Sequence, residues 1–70
     1  MKYVGLKQVQ KSIKENKAKM VYVAKDADEH ITEDIIKKCQ NNNISIVYVE
    51  TMAELGKKAG IEVGASCAAE

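Results

Sequence analysis

Met20–Ala24 reads MVYVA, five apolar residues in a row with no charge among them. A strand with one face in water alternates apolar and polar side chains, whereas an unbroken apolar run suits a strand covered on both faces. A second run, Ile44–Val49 (ISIVYV), has the same β-branched and aromatic character. Between the two lies a segment of helical period. Two apolar strands separated by a helix-length connection predict a mostly parallel or mixed sheet with helices on both faces, an α/β fold.

The flanking segments complete the order. Tyr3-Val4 reads as a short strand turned by Gly5. Leu6, Val9 and Ile13 then fall on one face of an amphipathic helix that stops at Asn16. In the central segment Thr32 is an expected N-cap, with Glu33 and Asp34 in the first turn, Ile35, Ile36 and Cys39 as the buried stripe, and Asn41–Asn43 as the end. Thr51-Met52-Ala53-Glu54 has the capping-box pattern and opens a third helix that Gly60 closes. Gly56 lies inside that helix at a cost of about 1 kcal/mol relative to alanine, so it marks close packing or a close ligand. The tail Ile61–Ala69, IEVGASCAA, reads as a last strand of small side chains. The pattern is β-α-β-α-β-α-β with short connections, one domain over residues 1–70.

Seventy residues bury a modest core. No apolar run is long enough to cross a bilayer and no signal segment is present, so a cytoplasmic, membrane-free protein is expected. Cys39 and Cys67 sit in apolar contexts and read as buried thiols, with no disulfide framework or zinc spacing. His30, in a run of acids, reads as a loop residue of no special role.

The net charge of +1 conceals a division. Residues 1–25 hold seven lysines and one glutamate, while residues 26–36 hold five acids and no base. Such polarisation bears on partners. Lys7, Lys11 and Lys14 stack on one face of the first helix, and like charges at i, i+4 disfavour it by roughly 0.2–0.5 kcal/mol per pair. Lys7 also lies in the first turn, where the helix dipole opposes a cation. An anionic partner reverses both penalties; on charge pattern alone, however, a solvated outer face is the simpler account. Every basic residue is lysine, which argues against guanidinium reading of guanine in a DNA groove.

Catalytic patterns are weak. Ser12, Ser45 and Ser66 have no strand-to-helix elbow around them, and Gly56-Lys57-Lys58 lacks the upstream glycine and following hydroxyl of a phosphate loop. Asp26, Asp28 and Glu29 lack the glycine and distal glutamate of a calcium loop and read as a solvated acidic turn. No enzyme activity, metal, cofactor or small-molecule substrate is expected. The basic helix leaves two readings open: a surface that contacts the phosphates of a nucleic acid, or a protein-interaction module docking an acidic partner or the acidic 26–36 segment of a neighbouring copy.

Three segments carry a resemblance that covers nearly the whole chain in order: GLKQVQKSI, VYVAKDAD and LGKKAGIEVGASCAA. Together they resemble the kink-turn-binding ribosomal protein family of the L7Ae type, and within it the small bacterial YbxF-like branch. LGKxxGIEVG is the most specific piece. The resemblance implies a three-layer α-β-α sandwich with a mixed four-stranded sheet, and a protein that recognises and stabilises RNA sharply bent at tandem sheared G·A pairs. Its target would be ribosomal RNA or a riboswitch-like element. The implied RNA-binding residues are Gly5, Lys7, Gln8 and Lys11 at the start of the first helix, and Ile61, Glu62 and Val63 in a loop that packs on nucleotides at the kink. Taken alone, Ile61 and Val63 would read as sealing the edge of the core. Lys7-Gln8 stands where archaeal and eukaryotic members usually have Asn-Glu, and the Lys-Gln form resembles the bacterial branch. Glu15 and Met52-Ala53 stand where relatives often carry basic residues. The chain also opens inside the first strand, which on this resemblance leaves one sheet face less covered.

Overall fold

The computed structural model describes residues 1–70. Seven elements follow in order: β1 Tyr3–Val4, α1 Leu6–Lys14, β2 Met20–Ala24, α2 Glu29–Asn41, β3 Ser45–Val49, α3 Met52–Ala59 and β4 Cys67–Ala69. The strands form one mixed sheet in the order β1-β4-β2-β3. β2 and β3 are parallel, with Val21 opposite Ile46, and β4 runs antiparallel to both β1 and β2. The three-layer sandwich expected from the sequence is therefore present.

Side-chain alternation sorts the core into two halves. Val21 and Val23 of β2, with Cys67 and Ala69 of β4, meet Val9 and Ile13 of α1 and Ile35 and Cys39 of α2. On the opposite face Ala24, Val49 and Ala68 meet Leu55 of α3, with Val4, Tyr22 and Met52 packed around them. β2 thus has apolar neighbours on both sides, which is why it carries the unbroken apolar run. β3 has a similar composition but lies at the sheet edge, where Tyr48 is 53% and Val47 37% exposed. Two helices cover one face and one covers the other.

Local signals explain most boundaries. Asn16 and Asn43 adopt left-handed backbone just beyond the ends of α1 and α2. Thr51 accepts the Glu54 N–H at 3.1 Å, and Gly60 closes α3 in the left-handed conformation. Two expectations need correction. α2 begins before Thr32: Asp28 is its N-cap, accepting the His30 N–H at 2.8 Å, so His30 lies in the first helical turn instead of a loop. Thr32 is one turn in, and its hydroxyl donates to the Glu29 carbonyl at 3.3 Å. The second correction concerns the tail, where only Cys67–Ala69 is a strand. Residues 61–66 form a loop whose ends bond to α3, Ile61 N–H to the Gly56 carbonyl and Ala65 N–H to the Met52 carbonyl, both at 3.0 Å.

Candidate nucleic-acid interface

The entrance to α1 is built around Gly5. Its backbone stands at φ 91°, ψ 162°, a region essentially reserved for glycine, and its N–H donates to the Cys67 carbonyl at 3.0 Å. No side chain caps the helix and no acid lies in its first turn. The N–H groups of Leu6, Lys7 and Gln8 consequently lack intrahelical acceptors and carry the positive end of the dipole. Such an end attracts anions.

Val9, Ile13 and the half-buried Leu6 hold α1 on the sheet, which turns Lys7, Gln8 and Lys11 outward. The chain has three ion pairs: Lys17–Glu15 at 3.2 Å, Lys25–Glu50 at 2.9 Å and Lys38–Asp34 at 2.8 Å. Lys7, Lys11 and Lys14 belong to none of them. The crowding visible in the sequence is left uncompensated within the fold. Gln8 is more committed than its sequence suggests: its side-chain oxygen accepts the Val4 N–H at 3.2 Å. Its amide nitrogen makes no hydrogen bond within the chain, and its oxygen keeps a second lone pair.

The second segment owes its position to Gly56. A Cβ at that position would collide with the Val63 carbonyl oxygen, and would lie 3.1 Å from the Val63 carbonyl carbon and 3.2 Å from Gly64 Cα. The helix interior therefore needs glycine because the loop backbone lies directly on it, the close packing that the sequence suggested. Ile61 is half-buried against the α3 side of the core, whereas Glu62 is exposed and Val63 is 70% exposed. Ile61 thus anchors the loop and Val63 offers an uncovered apolar surface.

The two segments meet the same end of the sheet through β4. Ser66 accepts the Ala24 N–H at 3.0 Å and the next residue, Cys67, accepts the Gly5 N–H, so the loop feeds into the strand that holds the α1 entrance. No hydrogen bond or ion pair joins Gln8 to Glu62. Gly5, Lys7, Gln8 and Lys11 form one cluster on α1, and Ile61, Glu62 and Val63 a second cluster on the loop.

The acidic stretch acts locally. Asp26 accepts the Met52 N–H at 2.8 Å and so caps α3, while Asp28 caps α2. No group of three or more histidine, cysteine, aspartate or glutamate side chains is placed to hold a metal ion. Cys39 and Cys67 are free and fully buried, and burial raises both thiols above their ordinary value. No helix is long and apolar enough to cross a membrane.

The chain is thus a three-layer α/β domain with an uncapped, lysine-lined helix entrance and an exposed aliphatic loop. The chain belongs to the ribosomal protein L7Ae/L30e/S12e/Gadd45 family, whose model it matches over residues 3–70. It is 48% identical over 67 residues to an RNA-binding protein of Caldanaerobacter subterraneus subsp. tengcongensis, covering 96% of this chain and 82% of that one. It is 38% identical over 66 residues to the RNA-binding protein YbxF of Geobacillus stearothermophilus, covering 94% of this chain and 80% of its relative. Large ribosomal subunit protein eL8 of Halobacterium salinarum is also 38% identical, across 93% of this chain and 55% of its own length. A protein of unknown function from Bacillus halodurans shares the fold with a TM-score of 0.82 at 23% identity, over 94% of this chain and 67% of that one.

Proposed function

We propose that the protein is a non-enzymatic RNA-binding protein that recognises and stabilises kink-turn RNA, in ribosomal RNA or a riboswitch-like element. The observation that carries the reading is the pairing of chemistries at one sheet end. Lys7 and Lys11 stand without ion-pair partners beside the uncapped α1 entrance, and the Gly5–Cys67 hydrogen bond links that entrance to the strand fed by the loop of Val63. The family relationship supports it, since similar proteins carry the name RNA-binding protein.

A bent RNA crowds phosphates and exposes base edges that a regular A-form helix hides. Lysines and first-turn N–H groups neutralise the crowded phosphates. The Gln8 amide nitrogen donates to a base-edge acceptor, such as a guanine O6 or N7. Ile61 and Val63 supply an apolar platform for a splayed base, and Glu62 accepts from amino groups. Because these contacts exist only with the bent conformer, binding shifts the RNA toward it by the difference in affinity.

A gel-shift comparison tests the proposal, using kinked RNA and a control in which the tandem G·A pairs are replaced by Watson–Crick pairs. At roughly 1–3 kcal/mol per altered pair, two pairs predict at least about a 30-fold loss of affinity. Equal affinity for the two RNAs overturns the reading.

A further inference from the structure

Lys14 belongs to the lysine stripe of α1 but lies too far along the helix to serve its entrance. Lys7 and Lys14 are separated by about 10 Å of helix axis, the span of roughly three phosphates of one duplex strand. The stripe borders a groove of about 770 Å³ between α1 and α2, to which Lys38 of α2 and its C-cap Asn42 contribute, the Asn42 amide donating one hydrogen to the Lys38 carbonyl at 2.8 Å. β1 and β2 point the same way, so α1 and α2 descend side by side and their C-terminal ends share one end of the groove. Ile13 is the single apolar side chain lining it.

We infer that this groove holds the phosphate backbone of an RNA duplex arm, with Lys14, Lys38 and Asn42 as contacts additional to those at the α1 entrance. The inference rests on the RNA-binding reading above and extends it from the bend to the flanking helix. Four lysines line the groove against one acid, Glu15, which is paired to Lys17. The polar lining suits a hydrated, charged backbone better than an apolar peptide. Length favours a polymer of regularly spaced anions over a single phosphate.

Lys38 is partly restrained. Its ammonium bonds Asp34 at 2.8 Å, and the same carboxylate oxygen accepts from the Gln10 amide at 3.4 Å. Asp34 therefore opposes an anion in the groove, and the inference fixes the sign of its substitution. Asp34→Asn should tighten binding, because it releases Lys38 and removes a negative charge beside the RNA.

The test measures the dissociation constant against salt for wild-type protein, Lys14→Gln, Lys38→Gln and the double variant. Each is titrated against kinked RNA with long duplex arms and against versions trimmed on either arm. On the long RNA each substitution should lower the slope of log Kd against log[salt] by about one. The double variant should thus lose about tenfold less affinity than wild type between 50 and 200 mM salt. Trimming the arm in the groove should erase that difference, and Lys14→Arg should retain the wild-type slope. Unchanged slopes on the long RNA, or equal losses with all three RNAs, overturn the inference. The ratio of affinities for kinked and G·A-repaired RNA separates this outcome from failure of the kink reading. A wild-type ratio of one sinks that reading, while a slope change dependent on duplex length still supports the groove.

Discussion

Replacing Gly56 by alanine tests the link between the fold and the loop that carries Ile61, Glu62 and Val63. The added methyl group has no free volume. It would run into the Val63 carbonyl oxygen and approach Gly64 Cα at 3.2 Å, and these neighbours are backbone atoms that cannot change rotamer. Overpacking of this kind costs about 3 kcal/mol at the upper end of its usual range. Alanine returns about 1 kcal/mol of helix propensity. The balance is a destabilisation of about 2 kcal/mol, a large share of the roughly 4–10 kcal/mol expected for a chain of this length. In a thermal melt followed by circular dichroism the midpoint should fall by roughly 8–16 °C. Urea denaturation gives the free energy directly, and RNA titration under folding conditions reports the displaced loop as lost affinity. A Gly56→Ala protein as stable as the wild type, with unchanged affinity, would mean that the loop is not seated on this helix position.

Gly5→Ala should cost about 1–3 kcal/mol despite meeting no atom within 4 Å, because the strain lies in the backbone; chemical denaturation checks it. Lys7→Ala and Lys11→Ala should each weaken binding of kinked RNA and reduce its salt slope by about one, leaving the thermal midpoint nearly unchanged. Because burial raises Cys39 and Cys67 above the ordinary thiol value of 9.0, the unfolded chain releases these protons first as pH rises. Their contribution to stability is complete below pH 9 and declines as pH climbs through the higher folded-state values, so denaturation midpoints should drop on the alkaline side. Thiol alkylation of the native protein at pH 8 should likewise proceed only at the rate of opening, and fast labelling would contradict the buried placement.

The apolar period made the layers legible. MVYVA requires cover on both faces and receives it, and Leu6, Val9 and Ile13 face the sheet as their spacing demands. The start of α2 was not legible at Thr32: that residue suits an N-cap by type, but Asp28, one turn earlier, takes the place. Ile31, one turn ahead of Ile35, extends the apolar stripe of the helix to the earlier start. The tail misled for a different reason. IEVGASCAA has strand composition, but the Gly56 gap draws Val63 and Gly64 onto α3 and delays strand pairing until Cys67. At the candidate interface, the lysine crowding and the glycine before it were visible in the chain. That Gln8 spends its oxygen on Val4, and that Lys38 and Asn42 complete a groove with α1, depends on contacts between distant segments that no local pattern encodes.

In the proposed function the α1 entrance and the 61–63 loop act as one RNA-contacting surface. Backbone amide spectra recorded during titration with kinked RNA report on both segments at once. The signals of Gly5, Lys7, Gln8, Glu62 and Val63 should shift together with a single dissociation constant. Shifts confined to one of the two segments, or separate constants for each, would contradict it.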